Sequence, residues 1–74
     1  MRTTTRVAEE HYTLLAVRSD GVVPVVDLVV GSRGSVFDRA IAFLGEHASC
    51  DRVEVWKNGK LVREFGRQQL AANG

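Results

Sequence analysis

The sequence predicts an α+β domain of order ββαββ, a four-stranded, mainly antiparallel sheet with one amphipathic helix packed on one face. Three observations predict it. Two stretches with strand-like patterning meet at Asp20-Gly21, a second pair meets at Asn58-Gly59, and between the pairs lies a run with a helical period. Asp-Gly and Asn-Gly between apolar runs are strong short-range hairpin signals, because glycine accepts the positive φ that a tight turn demands. A period of 3.6 between two hairpins implies a helix laid across the sheet they form.

The elements follow in order. Residues 1–10 are polar and aperiodic, and are expected to be a flexible N-terminal arm. His11 to Arg18 reads as a strand with Tyr12, Leu14 and Ala16 on one face and Thr13, Leu15 and Val17 on the other. Apolar groups on both faces suggest a central strand covered from both sides. After Ser19-Asp20-Gly21 the chain returns through Val22–Val30, rich in β-branched residues, and Pro24 assigns that strand to an edge because proline cannot donate to a ladder.

Gly31-Ser32-Arg33-Gly34 then reads as a loop, with Ser35 as the cap and Asp38 three residues on completing a short capping box. Phe37, Ala40, Ile41, Leu44 and Ala48 fall on one helical face, which Val36 and Phe43 widen. The second hairpin runs from Arg52 to Lys57 and back from Lys60 to Phe65, and residues 67–74 are expected to be a flexible tail. The single domain therefore spans 11–66.

Composition excludes several classes. The 74 residues are 45% hydrophobic and 26% charged, the balance of a globular chain, and support one small core. A formal net charge of +1 gives no strong pull toward nucleic acid or a membrane surface. The longest apolar run, interrupted by Asp27, is too short to cross a bilayer, and Met1–Glu10 lacks the apolar core of a secretory signal. One cysteine, Cys50, cannot form an internal disulfide, so a cytoplasmic location is expected.

Chemistry is sparse. His47-x-x-Cys50 offers two metal ligands where zinc needs three or four, with only the distant His11 in reserve, so no metal and no cofactor are implied. The same pair lacks an orienting group and an oxyanion device, and the scattered carboxylates form no acid–base pair, so an enzyme is not expected. Arg33, Gly34 and Ser35 ahead of a helix form a possible anion-binding loop, without the spacing of a phosphate loop.

The second hairpin is more informative. A two-residue Asn58-Gly59 loop opposes Trp56 to Leu61, Val55 to Val62, Glu54 to Arg63 and Arg52 to Phe65. Val53, Val55 and Val62 then make a floor for the helix. Trp56, Leu61 and Phe65, with Arg52 and Arg63, are left on the face that no second helix covers. Exposed apolar patches mark partner sites, and Trp, Phe and Arg concentrate binding energy. The Val22–Val30 edge, represented by Val26, offers a second place to pair. Either face or edge could bind a second copy to form a homodimer, or a larger protein that the chain regulates or inhibits. Five basic residues against three acidic ones from Asp51 to Arg67, interleaved with aromatics, keep nucleic acid as the alternative partner.

Asp51-Arg52-Val53-Glu54-Val55-Trp56 followed by Asn58-Gly59-Lys60-Leu61-Val62 resembles the ending of many short bacterial proteins of uncharacterised function, in which a helix precedes a Val-Glu-Val-Trp hairpin. Together with the helix that precedes the hairpin, the resemblance covers about a third of the chain. It implies a bacterial origin and the same strand assignment, and it carries over no activity and no functional residues.

Overall fold

The computed structural model describes residues 10–67, so the proposed arm apart from Glu10, and the proposed tail apart from Arg67, lie outside the described residues. The order is β1 (Glu10–Val17), β2 (Val25–Gly31), α1 (Arg33–Glu46), β3 (Arg52–Lys57) and β4 (Lys60–Gly66). The four strands form one antiparallel sheet in the order β2-β1-β3-β4, and α1 packs against it. This is the expected ββαββ α+β architecture, with the Pro24-flanked strand at an edge.

β1 is central, as its apolar composition suggested, but among the described residues an element packs on only one of its faces. On the other face Thr13 and Leu15 are half-buried, and Val17, opposite Arg52 of β3, is buried. Tyr12, Leu14 and Ala16 are buried beneath α1. They join Val36, Ala40, Phe43, Leu44, Cys50, Val53, Val55 and Phe65 in one core. Burial of this apolar surface is the main favourable contribution to folding.

The first turn is longer than the Asp-Gly signal suggests. Gly21 has φ +87°, its amide donates to Arg18 O at 2.9 Å, and Asp20 Oδ1 accepts from the Val22 amide at 3.0 Å. The side chain of Asp20 thus closes its own turn, as Asp commonly does. Strand pairing begins only after Pro24, with Val25 opposite Ala16, because proline brings no amide to the ladder. Val22 and Val23, read as strand, are exposed loop residues.

The helix starts earlier than read. Ser32, with extended backbone at φ −76° and ψ 161°, is the N-cap, and its Oγ accepts from the Ser35 amide at 3.3 Å. Arg33 and Gly34 are therefore helical rather than loop, and Ser35 lies inside the first turn. Gly31 makes room for this cap, since a Cβ there would stand 2.8 Å from Ser35 Oγ. The buried arc is Val36, Ala40, Phe43 and Leu44, while Phe37 is half-buried, Ile41 is 38% exposed, and Ala48 lies beyond the helix end.

The hairpin tip is as expected. Asn58 (φ 54°) and Gly59 (φ 76°) both adopt the left-handed conformations of a type I′ turn, and Lys57 faces Lys60 and Trp56 faces Leu61. The expected register then fails. A bulge leaves Val62 as an extra residue, so Val55 faces Arg63, Glu54 faces Glu64, Val53 faces Phe65 and Arg52 faces Gly66. Phe65 and Arg63 therefore lie on the helix side of the sheet rather than the open side. Phe65 is buried, with its ring edge-on to Phe37 at a centroid distance of 5.5 Å.

Candidate interaction surface

The face turned away from α1 is set by strand alternation and by the registers. Thr13 lies opposite both Leu28 and Trp56, and Trp56 opposite Leu61, so Leu28, Thr13, Trp56 and Leu61 form one row across all four strands. A second row runs Val26, Leu15, Glu54, Glu64, and Val30 lies opposite His11 beyond the first. Val26, Leu28, Val30 and Leu61 are exposed, and Leu15 and Trp56 are half-buried between them. No described element covers this face. It is an apolar field weighted toward β2.

The Arg52 end of the face is polar and ion-paired. Arg52 Nε lies 3.2 Å from Glu54 Oε2 and 2.9 Å from Glu64 Oε2, bridging two carboxylates that the bulge brought opposite one another. Trp56 Nε1 donates to Glu54 Oε1 at 3.0 Å, which fixes the indole against the strand. A tryptophan held this way presents its apolar body while its one donor is satisfied.

Of the six residues read as partner-binding, Trp56, Leu61, Arg52 and Val26 lie on this face. The expected Glu54–Arg63 pair is not formed. Arg63 instead lies across the sheet, its Cζ 5.4 Å from the ring centre of Phe37 and 5.0 Å from that of Phe65. Leu28 and Val30, missed as site residues, are among the exposed members of the face, and alternation with Val26 in the sequence was the signal that could have found them.

The other candidates sit apart. At the helix start, Ser35 Oγ donates to Ser32 O at 3.0 Å and the Val36 amide to the same carbonyl at 3.0 Å, while Arg33, Gly34 and Ser35 are exposed. His47 Nδ1 lies 2.8 Å from Phe43 O and so carries the proton, and its ring packs on Phe43 at 4.6 Å. Cys50 is buried and free. Among the described residues no three His, Cys, Asp or Glu side chains are grouped to hold a metal, and no helix is long and apolar enough to cross a membrane.

One residue placed in the tail makes a specific contact. Arg67 donates from Nη2 to Leu44 O at 2.7 Å and to His47 O at 3.1 Å, and from Nε to Cys50 O at 3.1 Å. At the other end of the sheet, Glu10 accepts from Tyr12 Oη at 2.8 Å and pairs with Lys57 Nζ at 2.7 Å. The Lys57 ammonium, then the Tyr12 hydroxyl, hold the Glu10 carboxyl below its ordinary pKa.

Compared with family models, curated proteins and solved structures, the chain matches none.

Proposed function

We propose that the chain is a non-enzymatic protein-interaction module that acts by docking its open sheet face on a protein, either a second copy or a larger protein that it regulates or inhibits. The observation that carries this reading is the field of Val26, Leu28, Val30 and Leu61 around Leu15 and Trp56, on the face opposite the only described helix. Contiguous apolar surface of this kind is uncommon on a small monomer and typical of the centre of an interface, where aromatic residues are enriched and charges sparse. The ion-paired rim at Arg52, Glu54 and Glu64 suits the polar border of such a contact.

The same geometry argues against nucleic acid as the partner. Phosphate contacts need unpaired positive charge, and on this face Arg52 is shared between two carboxylates while Arg63 lies on the far side. Trp56, the aromatic available to stack on a base, is tied to Glu54.

Photocrosslinking in the cells that make the protein tests this. A photoreactive side chain in place of Leu61 or Leu15 is expected to yield protein adducts, and the same group at the exposed helix position Ala42 none. Adducts to RNA or DNA from the sheet positions, or equal capture from Ala42, would overturn the reading.

A further inference from the structure

The two edges of the sheet are built differently. β4 carries Lys60, Arg63 and Glu64, and the bulge at Val62 interrupts its ladder. Charges and bulges are the usual means of keeping an outer strand from recruiting another. β2 has no bulge, and its one charged residue, Asp27, shares the helix side of the strand with Val25 and Val29 and lies 3.3 Å from Arg39 of α1. On the other side Val26, Leu28 and Val30 are 55%, 76% and 51% exposed. No described strand pairs with the outer edge of β2.

We propose that this edge pairs with the β2 edge of a second copy, antiparallel, about a two-fold axis through Leu28, to make a continuous eight-stranded sheet. The inference rests on the reading that the chain acts by contacting protein, and it adds to the open face a second contact, made with another copy through the β2 edge.

The strand's own sequence selects both partner and register. With the axis normal to the sheet, open-face residues must oppose open-face residues, which leaves only registers centred on a single residue. Centring on Asp27 would set two carboxylates directly opposite and draw Pro24, which has no amide, into the ladder. Centring on Val26 would also draw in Pro24, opposite Leu28. Centring on Val29 would pull the helix cap Ser32 into the ladder opposite Val26.

Centring on Leu28 pairs all seven residues from Val25 to Gly31 and stops before Pro24 and Ser32 at both ends. Val26 then faces Val30 of the second copy, Asp27 faces Val29, and Leu28 faces itself, so apolar side chains meet and like charges do not. A formal charge of +1 per chain leaves little mutual repulsion. A ladder of seven residues is a small interface, so association in the micromolar range is expected.

Sedimentation velocity over a dilution series into the high micromolar range tests this on the full chain, with Leu28→Lys and, on the exposed side of the helix, Ala42→Lys alongside. Both sites are exposed, so both variants are expected to keep the fold. Wild type is expected to pass from monomer to dimer, Ala42→Lys to match it, and Leu28→Lys to need at least tenfold more protein. Oxidation of a mixture of Val26→Cys and Val30→Cys chains is expected to cross-link them, with little product from either alone, since Cys50 is buried. Wild type that stays monomeric throughout would overturn the second copy, while adducts at Leu61 to other proteins would still sustain the interaction reading. Equal damage from Ala42→Lys, or no cross-link in the mixture, would overturn the edge register.

Discussion

Arg67 and Glu10, at the two ends of the described chain, carry polar contacts that alternation and helical period do not register. Arg67 places its guanidinium against three carbonyls around the C-terminal end of α1, where partial negative charge gathers, adding to the His47 and Cys50 amides that already donate to Leu44 O and His47 O. Nothing in the aperiodic ending marks that role, because it depends on β4 delivering residue 67 beneath residues 44–50. Glu10 is similar: its partner Lys57 is remote in sequence and becomes a neighbour only when β1 and β3 pair. Its carboxyl titrates below its ordinary value in the folded chain, so the ion pair contributes stability above the unfolded-state pKa. That contribution is lost as pH falls through the folded value. Glu10→Gln is therefore expected to be less stable than wild type at neutral pH, with the difference closing as pH falls through the carboxylate range. Denaturant titrations at neutral and acidic pH check it, and a difference that stays constant would remove the ion pair as its source.

Among the elements, the helix was legible in existence, but its ends and its buried arc were not. Val36, Phe37, Ala40, Ile41, Phe43 and Leu44 occupy more of the circumference than a single stripe, so periodicity alone fits several rotations about the axis. Packing on β3 and β1 selects the arc of Val36, Ala40, Phe43 and Leu44, and leaves Ile41 toward solvent. Leu44→Ala is expected to cost ~2–5 kcal/mol, because a fully buried side chain leaves a cavity. Ile41→Ala is expected to cost no more than about 1 kcal/mol, as surface substitutions do. Thermal or denaturant unfolding of the two variants decides, and equal losses would restore the rotation centred on Phe37 and Ile41. The cap was misplaced by three residues because Ser32 and Ser35 both precede acceptable helical patterns. The backbone of Ser32, extended while Arg33 is helical, settles which serine is the cap.

At the scale of the whole molecule, the ββαββ order was readable because turn dipeptides and two periods are local signals. The strand order β2-β1-β3-β4 was not, since the pairing of β1 with β3 joins residues on opposite sides of the helix. The open face was half readable for a related reason: alternation placed Arg52, Trp56 and Leu61 on it, Val26 was read as edge alone, and one unpaired residue sent Phe65 and Arg63 to the other side. That residue gives the sheet an unusual indifference to length. Between the fixed pairs Trp56–Leu61 and Val53–Phe65, β4 spends three residues where β3 spends two. Removing one residue from 62–64 would leave an unbroken ladder with Phe65 still beneath the helix, whereas removing Val26 or Leu15 would turn the rest of its strand inside out. A chain lacking Val62 is accordingly expected to fold with Phe65 shielded, and one lacking Leu15 to unfold, which circular dichroism of the two deletions would tell apart. The surplus residue is a place where this sheet can shed length without changing which way its side chains face.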